Sequence, residues 1–521
     1  MKLIESLSQA LFGRKNPKAS DRRAPSTRSG RNRRLKLESL ERRELFSVDF
    51  LSGFSLGVDT TSPSIRDNAV DSPGNHYIAG TIPNNGTVDF DPSNVRIDGS
   101  DLLTSRGGID GFVAKYGPNN EFLWVRGLGG DAIWDGTTTV GIVNYDRAKN
   151  LVVDPAGNVI VTGEFMKNAT FGTTNLVAVH PLYVDAFVTK LDANGNFLWA
   201  KSWGTSTADF AEDVAVDSNG NITAVGYSLT TGVEIRRFSA NGSLQWMKST
   251  SFSQGNTARS VSVDSSDNII VSGEFTGKVD FDPDPKKTFN VTGAPFMTGT
   301  TVTEAANAYV LKLNSSGVFQ WVAPLIAKTN VDLQSQIDGD RVDVDASGNI
   351  YLAGDYKRQV DVNPSSSIDL RLTATNDQFL LKLTSNGSLA WSQSYAGGSI
   401  MDIQVSGNAV VVGGHFNNPL TLPGLSTITP KGVINSAGLY NTDIYFAEFN
   451  LNGALTWSSI IGDVAGESLQ TFDIASDGTL FVVGSYYGPT LDFDNDPSTP
   501  PELQGRTDTG SPRFLAKLRR R

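Results

Sequence analysis

The chain has 521 residues, 39% hydrophobic and 19% charged, with 52 glycines, no cysteine and a formal net charge of −11. These values describe a folded chain rather than a disordered one, and the missing cysteine excludes disulfides, thiolate metal sites and a cysteine nucleophile. The charge is uneven, +8 over residues 1–47 and −19 over the rest, so the body repels phosphate backbones and no nucleic-acid partner is expected.

At the N-terminus, "MKLIESLSQALFG" is the closest approach to a secretory signal, but Glu5, Ser6, Ser8 and Gln9 interrupt its apolar core. No run approaches the length of a transmembrane helix. Residues 14–36 are rich in Arg, Lys, Ser, Pro and Asn and read as disordered. "LKLESLERRELFS", Leu35 to Ser47, follows. Through Leu37, Glu38, Leu40, Glu41, Arg42, Arg43, Leu45 and Phe46 it resembles the LEPR-xLL type leader of large exported bacterial proteins. Ser39 stands where that family has proline, and Phe46 where it has leucine. The resemblance implies a bacterial source and export to the cell envelope or beyond. The other reading is a short amphipathic helix on a basic tail. Residues 1–47 are therefore set apart as a disordered basic leader, and 48–521 as one domain.

Two motifs alternate from there on. The first is an apolar strand, an Asp-x-x-Gly-Asn turn, and a second strand ending in glycine. It runs from "NAVDSPGNHYIAG" (Gly80) through copies ending at Gly163, Gly226, Gly273 and Gly354, to worn copies ending at Gly414 and Gly484. The second is a strand of the type Phe-Val-x-Lys-Leu, a tight turn, and a strand carrying Trp124, Trp199, Trp246, Trp321, Trp391 or Trp457. Asp, Asn and Gly supply the turn chemistry, and short alternating runs supply the strands. Each motif pair gives four antiparallel strands, A to D. Such a repeat predicts an all-β, single seven-bladed β-propeller.

The last copy, "FLAKLRRR" from Phe514, has no D strand. "VDFLSGFSLG", Val48 to Gly57, lies at the right spacing before the first A strand to supply it, with Phe54 near the tryptophan position and "SLG" echoing "SWG" at 202–204. Closure of the ring by this strand would remove exposed sheet edges. At this point the chain resembles the SBBP-type propeller repeats of bacterial proteins over residues 48–521. Val405 and Ala475 at the turn Asp, Glu448 at the usual Lys, and Arg236–Arg237 depart from the pattern. The resemblance implies an extracytoplasmic propeller and no particular reaction.

The A–B and C–D turns are short and uniform, whereas the B–C loops and D–A links vary, so binding is expected on the latter face. Four B–C loops echo one another: "VDFDPSN", "VDFDPDP", "VDVNPSS" and "LDFDNDP". Their alternating carboxylates make Asp280, Asp282, Asp284, Asp492, Asp494 and Asp496 candidate calcium ligands. The alternative is an Asp-Pro turn with Phe90, Phe281 and Phe493 packed inward. The three histidines, His76, His180 and His415, fall in unrelated segments and suggest neither a zinc site nor a triad. The expectation is a monomeric, non-enzymatic binding or scaffold module for a protein or polysaccharide, with no catalytic residues and no cofactor. A polysaccharide hydrolase or lyase using loop carboxylates is the alternative.

Overall fold

The computed structural model describes residues 48–57, 61–91, 93, 99–130, 144–250, 255–298, 301–328, 335–365, 368–431, 441–463, 465–493, 501–504 and 512–520. The leader at 1–47 lies outside them. The described chain is all-β, without a helix, and so without one long and apolar enough to cross a membrane.

One four-stranded antiparallel meander repeats along it. In the second unit, Arg147–Val153 pairs with Val159–Met166, that strand with Val184–Leu191, and that in turn with Phe197–Trp203. The corresponding A strands elsewhere are Ser64–Val70, Asp209–Val216, Thr257–Val263, Arg341–Val344, the second half of Leu389–Ser406, and Glu467–Ile474. In the last unit the outer position belongs to Val48–Leu56, antiparallel to Arg513–Arg520, with Ser55 opposite Phe514.

The expectation of separate four-stranded sheets needs correction in one region. The fourth to sixth units join into a single twelve-stranded sheet. The strand Ile350–Asp361 outruns its own A strand, and its end pairs with Ile326 and Ala327 of the preceding unit. Leu389–Ser406 runs on as one strand, serving one unit as D and the next as A.

Each sheet buries both faces, so its central strands read as unbroken apolar runs. His76–Ile82 and Leu480–Tyr486 are buried at every position. The cores lie between consecutive units. Tyr77 and Val113 of the first pack with Leu151, Val161 and Phe187 of the second. Val483 and Leu515 of the last pack with Ile65, Ile78 and Phe112 of the first.

The two motifs clasp each other. Lys190 of the Phe-Val-x-Lys-Leu strand meets Asp154 of the turn at 2.8 Å, and Lys312 meets Asp264 at 2.8 Å. In the third unit Arg237 replaces lysine and pairs with Asp217. Against the penalty of burial, the Lys190 ammonium and the Asn158 amide hold the Asp154 carboxyl below its usual range.

Candidate functional site

Six A strands carry a register shift against their B strand, and the extra residue is turned out of the sheet: Arg66, Lys149, Glu212, Arg259, Met401 and Gln470. Asp340 precedes Arg341–Val344 at the same place. β-Bulges re-aim side chains in this way. The strand-ending glycines make room for them. A Cβ on Gly80, Gly163, Gly226, Gly273, Gly354 or Gly414 would overlap the backbone carbonyl of Ser64, Arg147, Phe210, Thr257, Asp338 or Ser399, and one on Gly484 the Phe514 ring.

All the A strands line one cavity of about 910 Å³, and the bulge residues stand at its end on the loop-bearing face. Below them, Asp67, Asp213, Asp343, Asp402 and Asp473 face inward beside Arg341. These carboxylates are committed. Asp67 accepts the N–H of Leu151 at 2.8 Å, Asp213 that of Val261 at 2.7 Å, and Asp343 that of Val405 at 2.7 Å. Asp402 accepts from Phe472 and Thr471, and Asp473 from Val70 at 2.7 Å. Each links its unit to a neighbour, and Asp473 links the last A strand to the first. The second oxygens of Asp213, Asp343, Asp402 and Asp473 accept from the next residue of the same strand, Val214, Val344, Ile403 and Ile474. Burial pushes Asp213 and Asp343 up to about 6 and Asp473 up to about 7. Arg341 donates to the carbonyls of Met401 and Asp340 amid this acidic set.

The charged mouth is mostly paired. Lys149 bridges Glu164 at 2.8 Å and Glu212 at 2.7 Å, and Arg259 meets Glu274 at 3.0 Å. Phe210 and Tyr227 stack at 4.8 Å in the lining. None of these residues was singled out by sequence. A signal existed: each bulge residue stands five places before the turn-Asp position, as Glu212 does before Asp217, although Ser406 and Ala475 fill that position after Met401 and Gln470.

Of the calcium candidates, Asp280, Asp282 and Asp284 cap turns. Asp280 accepts the N–H groups of Asp282 and Phe289, Asp282 that of Asp284, and Asp284 that of Lys286. Asp492 is described, but Asp494 and Asp496 lie outside the described residues. Among the described residues no group of three acidic or histidine side chains could hold a metal. Two of the echoing loops form short ribbons, Val279 opposite Val291 and Leu491 opposite Leu503. Phe90, Phe281 and Phe493 are buried, against Phe112, Tyr309 and Phe514.

The tryptophans serve the opposite face. Trp124, Trp199, Trp246, Trp321 and Trp391 lie over Gly195, Gly242, Gly317, Gly387 and Gly453 in the next unit's C–D turn. Their indole N–H groups donate to carbonyls of those turns, at 3.0 to 3.3 Å. Trp457 faces the last unit, and its buried N–H has no partner among the described residues. Two assignments shift by register. Ser52, opposite Lys517, takes the tryptophan position, and Phe54 stands two places on. Ser406, four residues after Asp402, takes the turn-Asp position assigned to Val405. His76 is buried beside Asn68, His415 meets Ser468, and His180 lies in a B–C loop, so the three do not converge.

No family model matches the chain. It is 22% identical over 436 residues to an uncharacterized WD repeat-containing protein of Acanthamoeba polyphaga mimivirus, covering 72% of this chain and 27% of that protein. The chain thus spans about a quarter of that relative's length. Among solved structures, the Neurospora crassa Pan2 WD40 domain has a TM-score of 0.40 at 9% identity, covering 88% of this chain and 89% of that one. The WD40 beta propeller domain of Doa1 has a TM-score of 0.38 at 10% identity, covering 91% and 98%. A virginiamycin B lyase from Staphylococcus aureus scores 0.40 at 8% identity, covering 89% and 99%. At these scores the likenesses carry no further argument.

Proposed function

We propose that residues 48–520 form a seven-bladed β-propeller, closed by Val48–Leu56, acting outside the cytoplasm as a non-enzymatic binding module. The leader-like segment at 35–47 supports export, and the link from Asp473 to Val70, together with the pairing of the chain's first and last strands, supports closure. The ligand, a protein or a polysaccharide, sits at the mouth of the cavity on the face of the B–C loops and D–A links.

One observation carries this reading. A repeated scaffold delivers side chains of six types from seven units to the same mouth: Arg66, Lys149, Glu212, Arg259, Asp340, Met401 and Gln470. A repeat kept for scaffolding alone has no use for such variety at one position. The carboxylates beside Arg341 favour a hydrolase or lyase as the second reading, but one oxygen of each is spent on a hydrogen bond that joins its strand to the neighbouring unit.

A glycan and envelope-fraction binding screen tests the proposal. Arg259→Ala and Gln470→Ala should weaken the captured ligand, while Asn194→Ala on the turn face should not. Equal effects from both faces would remove the mouth as the binding site. Release of shortened product from a bound glycan would replace the binding module with the enzyme.

A further inference from the structure

We infer that Arg66 and Arg513, with Tyr487 beside them, form an anion-recognising subsite of this mouth, suited to a sugar chain bearing carboxylate or sulfate groups. The inference rests on the binding-module reading and names the ligand class.

The body carries −19, and the other cations of the mouth are balanced by it. Lys149, Arg147 and Arg259 have carboxylate partners, and Arg341 lies among aspartates. Arg66 differs. It is an exposed bulge residue and makes no hydrogen bond or ion pair among the described residues. Arg513 is half-buried at the start of the last strand, where its Nε donates to the Pro63 carbonyl at 3.0 Å. That bond brings it to the segment leading into Arg66. Among the described residues no carboxylate pairs with Arg513 either. Burial, together with the Arg66 charge, holds its guanidinium below the ordinary value. Two unanswered guanidinium groups in an acidic body mark a place where an anion is gained rather than repelled.

Tyr487 follows the B strand of the same unit. It is 64% exposed, and its backbone N–H is fixed to the Gly466 carbonyl at 3.1 Å. The preceding Tyr486 N–H donates to the Pro512 carbonyl at 3.4 Å and Ser485 pairs with Arg513, which brings Tyr487 to the start of the Arg513 strand. The planar guanidinium fork matches carboxylate and sulfate oxygens in pairs. A fixed, exposed aromatic ring offers a flat apolar face beside a polar tip, which suits a pyranose. An acidic peptide supplies the charge but leaves that ring unused, so the saccharide is the better fit.

The test uses the full chain and calorimetry with four probes of matched length: oligogalacturonate, sulfated dextran, neutral dextran and poly-glutamate. One or both anionic saccharides should bind, weakening as salt rises, and neutral dextran should not. Arg66→Ala should weaken binding roughly tenfold with an unchanged melting temperature, since Arg66 holds nothing in the fold. Arg513→Lys should also weaken it, because it keeps charge and loses the fork. The two anionic arms separate carboxylate from sulfate recognition. Preference for poly-glutamate, indifference to Arg66→Ala, or no binding by either anionic saccharide would overturn the subsite. Neutral dextran or an envelope ligand captured through Arg259 alone would overturn it too, yet leave the binding module standing.

Discussion

Trp199 stands half-buried over Gly242 of the next unit and donates its indole N–H to the Ala240 carbonyl at 3.2 Å. Truncating it to alanine loses that bond and uncovers the turn. Full core burial of tryptophan makes such a change cost about 3–5 kcal/mol; for this half-buried ring Trp199→Ala is expected to cost about 2–3 kcal/mol in denaturant unfolding. An unchanged midpoint would show that the turn needs no cover. Gly226 makes a sharper case, because its Cα lies against the Phe210 carbonyl that precedes the Glu212 bulge. Gly226→Ala should destabilise by about 2 kcal/mol or more through backbone displacement. The sequence shows both residues plainly, since they recur. It does not show that the glycine answers a bulge, because that depends on which carbonyl the partner strand presents. Arg66 and Glu212 are as unremarkable in sequence as their neighbours, and only the register sends them into the cavity.

The first strand illustrates the element scale. Val48–Leu56 pairs along its length with Arg513–Arg520, and Val48 packs with Trp457, Phe472 and Leu518. Removing Val48–Gly57 leaves the last strand with a bare edge and opens that core. The truncated chain is expected to melt well below the full one, and a synthetic peptide of residues 48–57 should restore much of the loss. A truncated chain that melts like the full one would show that the strand is dispensable. The missing D strand of the last repeat made this element legible, and "SLG" at 55–57 does lie where "SWG" lies at 202–204. The finer match failed on spacing: Trp199 stands three residues before "SWG", and three residues before "SLG" is Ser52, with the same bulge beside it that the other C–D pairs carry. The fusion of three units was also illegible, since nothing in "GGSIMDIQV" marks one strand passing between two neighbours.

Across the whole molecule, the buried carboxylates set the response to pH. Burial raises Asp146, Asp338, Asp355 and Asp473 to about 7, Asp185, Asp213, Asp343 and Asp443 to about 6, and Glu467 to about 8. Between the unfolded carboxylate range near pH 4 and these values, the folded chain holds protons that the unfolded chain has lost. Their stabilisation is therefore complete at low pH and disappears as pH rises through about 6 to 8. Asp154, Asp264 and Asp345, held low, act in the opposite sense and withdraw their support below about pH 4. His76, held near 3 by burial, and His415, also lowered by burial, act against the raised carboxylates, because the unfolded chain takes up their protons first as pH falls through about 6.5. Nine raised groups outweigh two histidines, so the melting temperature should be higher at pH 5 than at pH 8. A rise from pH 5 to pH 8 would mean that those carboxylates are ionised and solvated. The sequence alone determined the repeat, the strand order within each unit, the turn chemistry and the split between a uniform and a variable face. These are local properties, written in spacing and residue type. The tertiary structure alone decided which residues face the shared cavity, which carboxylates are spent on joining strands, and which two arginines are left unanswered. Those outcomes depend on register and on neighbours hundreds of residues apart, which no stretch of sequence records.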